Sequence, residues 1–161
     1  MLRPTSDQDV QLFKRLCDGD RLEDQTCRPV KHGKVVRGED YRESWTYFRP
    51  GTTAPAGWVI VFDFNPRNRS AEFGYGVTRS LRGQGVGHEM LTAFFFRTFA
   101  ETDLNKLYCH TASFNAPSVR LLNGLGLSRD GVLRAHHERD GELHDTFIYS
   151  LLRTEFEIAD T

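Results

Sequence analysis

The spacing of apolar residues predicts that this chain alternates between strands and helices. Apolar residues occupy every second position of 71–77, which predicts a strand whose core face carries Phe73 and Tyr75. Apolar residues of 85–101 recur at helical spacing on more than one side, which predicts a helix buried between layers. Similar patterns predict the other elements: a strand at 2–4, a helix over 7–17 capped by Thr5 or Ser6, strands at 45–47, 58–62 and 107–111, and a helix that Asn115 caps and Gly126 ends.

The C-terminal region is predicted to close the fold as a hairpin. The Asp140-Gly141 dipeptide favours a two-residue turn, with one strand before it and one after it. Counting back from this turn places His136 opposite Asp145. Residues 18–40 have too weak a periodicity to predict an element. The order of elements predicts a single α+β domain over 1–161, with a twisted, mixed, mostly antiparallel sheet flanked by helices.

Composition narrows the classes of function. The chain has 21 Lys and Arg against 22 Asp and Glu, so its formal net charge of -1 argues against dedicated nucleic-acid binding. No apolar run approaches the roughly 20 residues of a membrane span. The N-terminus shows no secretory signal, so we expect a cytoplasmic protein. Cys17, Cys27 and Cys109 are odd in number and widely spaced, which predicts reduced thiols; neither they nor the histidines show metal-ligand spacing, so no metal is expected.

A glycine-rich turn separates the predicted strand at 71–77 from the buried helix. Successive N–H groups of such a turn face outward, so it can bind a pyrophosphate, and Arg82 can add a charge-assisted contact. The alternative is a tight turn without a ligand. A Walker loop is excluded because Gly87 is followed by His88 rather than by Lys, and a dinucleotide fingerprint fails because His88 also occupies its sixth position.

The turn resembles the diagnostic motif of the GNAT superfamily of acyl-CoA-dependent N-acyltransferases. The motif Gln/Arg-x-x-Gly-x-Gly/Ala is matched by Arg82, Gly85 and Gly87. Segments at 71–75, 115–118, 126–127 and 144–152 look like the Rim group of ribosomal-protein N-acetyltransferases, whereas 17–58 matches poorly. The resemblance implies a GNAT-like fold, acetyl-CoA as co-substrate and an amine acceptor, either a protein N-terminus or a small molecule.

The resemblance also implies a cofactor site. It places the backbone of Gly76, Val77 and Thr78 along the pantetheine arm, with a further contact from Asn115. It makes the N–H of Val77 a candidate donor to the developing oxyanion. It places the CoA pyrophosphate on Arg82, Gly83, Gln84, Gly85, Val86 and Gly87.

Direct attack of an amine on the thioester requires a base and an acid. Glu72 is the first candidate base, although a salt-bridged strand residue would look the same; the pair formed by His136 is a second candidate, although a surface contact is the commoner role. Ser118 or Tyr149 is the candidate acid. The alternatives are that Ser118 serves the helix N-terminus and that Tyr149 packs in the core.

A second class of function fits the same residues. The chain could keep the cofactor cradle but lack a working acid and base, as a non-catalytic acyl-CoA-binding or partner-binding module. Pairing of exposed strand edges or of the C-terminal hairpin is compatible with a homodimer, although the sequence does not fix the oligomeric state.

Overall fold

One twisted sheet carries the fold. The computed structural model describes residues 1–21, 24, 26, 30–31, 34–35 and 43–159. The strands and α-helices in chain order are β1 Leu2–Pro4, α1 Asp7–Leu16, β2 Val30–Lys31, β3 Lys34–Val35, β4 Glu43–Tyr47, β5 Gly57–Asn65, β6 Ser70–Val77, α2 Val86–Glu101, β7 Lys106–Ala112, α3 Ala116–Gly124, β8 Ser128–Arg139, β9 Glu142–Leu152 and α4 Arg153–Ala159. Within the described residues the main sheet has seven strands in the order β1-β4-β5-β6-β7-β9-β8, and β2 and β3 pair separately.

Alternation along β6 gives the sheet two different faces, as the sequence predicts. On one face Phe73 is buried and packs against Phe94 and Phe95 of α2, with ring centroids 5.7 and 5.4 Å away. We call this the helix face, because α3 and α4 also pack there. On the opposite face, the α1 face, Phe13 of α1 packs on Trp58 with ring centroids 4.5 Å apart. The mixed α+β prediction is therefore confirmed.

The predicted helix ends are also present. Ser6, rather than Thr5, caps α1: its hydroxyl accepts the N–H of Asp9, whose carboxylate accepts the N–H of Ser6. Asn115 caps α3, and Gly126 follows the end of that helix with φ +78°, a left-handed conformation that favours glycine. These local signals fix where the helices begin and end.

The central feature of the sheet is a fork between β6 and β7. These strands are parallel and pair only at their beginnings, and the last pair joins Glu72 to Tyr108. Beyond it β6 continues to Val77 and β7 to Ala112 without pairing to each other, while β6 stays paired with β5 and β7 with β9. The fork therefore opens one edge of each strand in the middle of the sheet.

The hairpin forms at Asp140-Gly141, but its predicted register is wrong beyond His137. A bulge lies between Leu133 and His137, so that three residues of β8 oppose the single residue Asp145. Ala135 takes φ +49° there, and its N–H donates to the Asp145 carboxylate at 2.9 Å. The bulge removes the His136–Asp145 pairing on which the second candidate base depends.

Two further predictions concern the cysteines and membrane-spanning segments. Cys17 and Cys109 are free thiols, whereas Cys27 and much of 18–40 lie outside the described residues. None of the described helices combines the length and apolar character that crossing a membrane requires.

Candidate active site

The fork opens into a cleft of about 940 Å³. Its walls come from the diverging parts of β6 and β7, from the glycine-rich turn before α2 and from the start of α3. Among the residues that line it are Gly74, Tyr75, Gly76, Val77, Cys109, His110, Thr111, Gly83, Gly85, Val86, Gly87, Asn115 and Ser118. The cleft brings together most of the residues that the sequence analysis selected.

The open edge of β6 offers backbone groups to the cleft. Thr78 donates its N–H to Ala56 beside β5 at 2.9 Å, so the neighbouring residue Val77 turns its N–H and carbonyl toward β7. Because β7 has diverged at that point, these groups face the cleft, and the Val77 carbonyl accepts the Nε of Arg82 at 3.1 Å. Val77 is thus the predicted pantetheine residue whose N–H is directed into the cleft.

Thr78 and Gln84 differ from the other predicted cofactor residues. The hydroxyl of Thr78 donates to the Pro55 carbonyl at 2.9 Å, so both of its donors are used within the protein. Gln84 is exposed and its side chain donates to the Ser80 carbonyl at 2.9 Å. Neither residue lines the cleft, so the structure offers only the turn N–H of Gln84 to a ligand.

The glycine-rich turn presents a row of unused N–H groups. Gly83 and Gly85 take φ values of +74° and +80°, which favour glycine and reverse the chain before α2. Glu89 is the first residue after the turn whose N–H makes a helical hydrogen bond, which it donates to the Gly85 carbonyl at 3.1 Å. From Gly83 to His88, no backbone N–H donates to another group in the described part of the chain. These amides and the helix dipole can hold an anion.

Gly87 has a packing role as well. A Cβ at this position would lie 2.8 Å from Cδ2 of Leu121, so glycine lets α2 approach α3 closely.

The Arg82 guanidinium forms an ion pair with Asp20, a residue that follows α1. This ion pair competes with the predicted charge-assisted contact between Arg82 and a ligand phosphate. Arg82 therefore ties the turn to the α1 face, and its own N–H donates to the Arg79 carbonyl.

Ser118 lies at the cleft and is joined to a tyrosine that the sequence analysis assigned to the core. Its hydroxyl is 2.5 Å from the hydroxyl of Tyr75, and its N–H donates to Asn115 Oδ1 at 3.3 Å. Burial raises the pKa of the Tyr75 hydroxyl well above its ordinary value, so Tyr75 stays protonated at neutral pH. The helix cap comes from Asn115, whereas the Ser118 hydroxyl contacts Tyr75, so the contacts are compatible with a proton-donor role of Ser118.

Tyr149, the other candidate acid, packs in the core. It is 2% exposed on the helix face of β9, opposite Cys109, and it does not line the cleft. Burial likewise raises the pKa of the Cys109 thiol, which agrees with its predicted role as a core residue. The core alternative therefore describes Tyr149 better than the acid role.

Glu72 is buried at the base of the fork and reaches the cleft through His110. The Glu72 carboxylate lies 2.8 Å from Nδ1 of His110, and of the two only the histidine lines the cleft. His110 follows the helix-face residue Cys109 on β7, so it points to the α1 face, as Glu72 does on β6. The Ser118–Tyr75 pair instead lies on the helix face. Two groups of proton-handling side chains thus flank the fork from opposite faces.

Residues 1–128 match the family described as the acetyltransferase (GNAT) domain. The chain belongs to this family. The sequence-based prediction of a GNAT acetyltransferase is therefore confirmed, and the glycine-rich turn and the fork are parts of a GNAT domain.

Several curated relatives match part of this chain. "Uncharacterized N-acetyltransferase p20" of Bacillus licheniformis is 33% identical over 89 residues, which is 55% of this chain and 50% of that protein. The "putative ribosomal N-acetyltransferase YdaF" of Bacillus subtilis is 28% identical over 101 residues, 63% of this chain and 55% of that protein. The chain spans between 50% and 62% of the length of the curated relatives it matches.

Solved structures confirm the GNAT fold. A variant of spermidine N-acetyltransferase SpeG from Vibrio cholerae superposes with a TM-score of 0.82 at 16% identity, covering 100% of this chain and 99% of that one. The same protein in complex with CoA and spermine gives a TM-score of 0.80 at 17% identity, with 98% and 97% covered. At these identities the likeness concerns the fold alone.

Sequence reasoning missed two side chains of this GNAT site. Tyr75 was placed on the core face because alternation predicts burial, yet its hydroxyl extends to Ser118 at the cleft wall. The sequence analysis does not select His110, because its partner Glu72 is distant in the sequence. The only available signal was that both lie on predicted strands, which becomes informative once the parallel pairing of β6 and β7 is known.

Proposed function

We propose that this GNAT domain transfers an acetyl group from acetyl-CoA to a primary amine by direct attack on the thioester. The observation that carries the proposal is the continuity of the fork with the glycine-rich turn. An extended molecule can lie with its amide-containing arm along the open edge of β6 and its diphosphate on the N–H groups from Gly83 to His88. CoA has these two parts joined in that order.

The residues of the cleft fit that co-substrate. The open edge of β6 supplies backbone groups to the arm, the turn supplies amides to the diphosphate, and the Asn115 carboxamide lies at the start of α3 beside the fork. We also propose that Arg120, an exposed cation of α3 that lines the cleft, faces the phosphates. Acetyl-CoA supplies an acyl group activated as a thioester.

The chain itself then has two tasks on the helix face. We propose that the N–H of Val77 stabilises negative charge on the carbonyl oxygen. We propose that the Ser118–Tyr75 hydroxyl pair, whose oxygens lie 2.5 Å apart, supplies a proton to the departing sulfur. Ser118 is the member of the pair that the sequence analysis selected.

The acceptor is proposed to approach from the α1 face. A cavity of about 310 Å³ lies there between α1 and the sheet, with apolar walls that include Phe13, Trp58 and Ile60. Asp18 and Lys14 also line it, and Asp20, which lines both the cavity and the cleft, is paired with Arg82. The apolar walls suit an amine that carries an apolar substituent.

The two candidate acceptors are an N-terminal α-amine and a polyamine. The similarity to YdaF and to the Rim group favours an N-terminal α-amine of a ribosomal protein, and the SpeG fold neighbours favour a polyamine. An α-amine requires about 1 kcal/mol for deprotonation at pH 7, whereas an alkylamine resembling lysine requires about 4.6 kcal/mol. We propose the α-amine, because its smaller deprotonation energy demands less of the base.

The single-domain organisation over 1–161, the cytoplasmic location and a homodimer remain predictions. They concern the whole protein rather than this site. Size-exclusion chromatography with light scattering would measure the oligomeric state directly.

The experiment combines binding with turnover. We would measure acetyl-CoA affinity by calorimetry and thiol release with spermidine, benzylamine and ribosomal N-terminal peptides, identifying acetylated products by mass. Acetyl-CoA binding with amine-dependent thiol release supports the proposal. Binding without turnover on any amine would favour the non-catalytic module, and absence of binding would refute both functions.

A further inference from the structure

A carboxylate and an imidazole meet where β6 and β7 separate. Glu72 is the last residue of β6 that pairs with β7, and its carboxylate lies 2.8 Å from Nδ1 of His110. The Glu72 side chain is 11% exposed and that of His110 is 27% exposed. The pair therefore sits at the inner end of the cleft, with the histidine between the carboxylate and the open space.

The contact orients the imidazole. When the Glu72 carboxylate is ionised it only accepts hydrogen bonds, and Nδ1 of His110 then carries the proton that they share. Neutral imidazole then has its lone pair on Nε2, and that nitrogen has no hydrogen-bond partner among the described residues. Because His110 lines the cleft and Glu72 does not, a molecule in the cleft meets the imidazole first.

Among the described residues, Tyr108 is the titratable neighbour of His110 on β7, with its ring centroid 6.1 Å from that of His110. The residue paired with His110 on β9 is Ile148, which carries no charge. Farther along, Lys106 and Asp130 form an ion pair, and Asp130 also accepts the hydroxyl of Ser150.

We propose that His110, oriented by Glu72, takes the proton from the acceptor amine. This inference rests on the proposed function and assigns Glu72 as a positioning residue, which corrects the expectation that Glu72 itself is the base. In the transfer, the amine nitrogen gains an N–C bond as the C–S bond breaks. One proton passes from the nitrogen of the neutral amine to His110 Nε2, and one passes to the sulfur from the Ser118–Tyr75 pair on the other face. His110 then loses its proton to water, and the hydroxyl pair regains one from water.

Opposite placement of the two proton-handling groups explains why the fork suits this step. The base must reach the attacking nitrogen and the acid must reach the departing sulfur, which are different substituents of the reacting carbon. Alternation puts His110 on the α1 face and Tyr75 on the helix face of neighbouring strands. The acceptor cavity beside α1 lies on the same face as His110.

The first test uses kinetics with matched variants. His110→Gln should lower kcat by about 10²- to 10⁴-fold while acetyl-CoA affinity stays within threefold of wild type, since a general base contributes a factor of this size. His110→Gly should regain rate when imidazole is added. His136→Gln, in the exposed bulge of β8, is the control and should keep wild-type kcat.

Glu72→Gln tests the positioning role. It should lower kcat by less than His110→Gln, because an amide at position 72 can hold the imidazole in either tautomer. A purely structural role would lower the yield of folded protein without lowering kcat per folded enzyme. Full kcat in folded His110→Gln or in folded Glu72→Gln would overturn the proposal.

A second measurement needs no acceptor. In ¹⁵N-histidine NMR spectra of the whole chain, neutral His110 should carry its proton on Nδ1 in wild type, and Glu72→Gln should change the tautomer ratio. A proton on Nε2 would overturn the proposal even if acetyl-CoA binds. Failure of acetyl-CoA to bind, with the predicted tautomer present, would instead refute the proposed function and the base role that depends on it.

Discussion

Replacement of Gly85 by alanine tests the cofactor cradle without changing any side-chain contact. Gly85 is the N-cap of α2 and takes φ +80°. A Cβ added there would meet no atom nearer than Glu89 Oε1 at 4.0 Å, so the site has room for a methyl group. The perturbation is therefore conformational: an L-residue in the left-handed region is less stable by roughly 1–2 kcal/mol.

The turn must adopt the left-handed conformation at residue 85 when acetyl-CoA binds. The free energy of that conformation in Gly85→Ala therefore lowers either the stability of the free protein or its affinity for acetyl-CoA. If the turn of Gly85→Ala keeps its shape, the free energy of unfolding falls by about 1–2 kcal/mol and the affinity is unchanged. If the free turn relaxes, stability is retained and the affinity for acetyl-CoA falls by about 5- to 30-fold. The two losses should therefore add up to about 1–2 kcal/mol in either case.

Urea denaturation and calorimetry with acetyl-CoA measure the two losses separately. Gly124→Ala is the matched control, because Gly124 lies in α3, has open space at its Cβ and has no positive φ. It should raise stability by about 0.5–1 kcal/mol and leave the affinity unchanged. Wild-type stability together with wild-type affinity in Gly85→Ala would refute the reasoning about the turn.

Three other predictions concern the frame of the site. Gly76→Ala should lower stability by about 1–3 kcal/mol, because its Cβ would lie 2.1 Å from Cζ2 of Trp58; additive losses in a double-mutant cycle with Trp58→Leu would argue against this contact. Arg153→Met should lower stability by about 1–3 kcal/mol, since Arg153 donates to three carbonyls around the end of α2 at 2.6–2.9 Å; an unchanged urea midpoint would contradict this role. Burial raises the pKa of Asp9, but hydrogen bonds from nearby backbone and Arg3 outweigh it and hold the pKa below its ordinary value. Asp9 therefore stabilises the fold above about pH 3.9 and loses this effect as the pH falls below it, so the stability difference between wild type and Asp9→Asn should shrink there in acid denaturation; a constant difference from pH 7 to 2 would count against it.

Local patterns predicted the parts of the site that local chemistry decides. The glycine at position 85 is required by a backbone angle, and Ser6 and Asn115 cap helices through contacts with residues three positions away. Alternation along 71–77 predicted the two faces of β6, including the placement of Glu72 away from the core. These features depend only on short segments of the sequence, so they can be predicted without knowing the strand order.

Features that depend on distant partners escaped prediction. His110 meets Glu72 only because β6 and β7 run parallel at their beginnings. The ion pair of Arg82 joins it to Asp20, which lies in a stretch of weak periodicity. The register beyond His137 failed for a different reason: counting from a turn assumes an unbroken ladder, and a bulge breaks it.

Residue-resolved amide hydrogen exchange with acetyl-CoA would test the cradle most directly. We expect the N–H groups from Gly83 to His88, which have no partner in the described protein, to gain protection when acetyl-CoA is added. The N–H of Val77 should gain protection with them, since the same molecule would span the fork. Binding of acetyl-CoA with unchanged exchange at these amides, or protection confined to another surface, would contradict the proposed site.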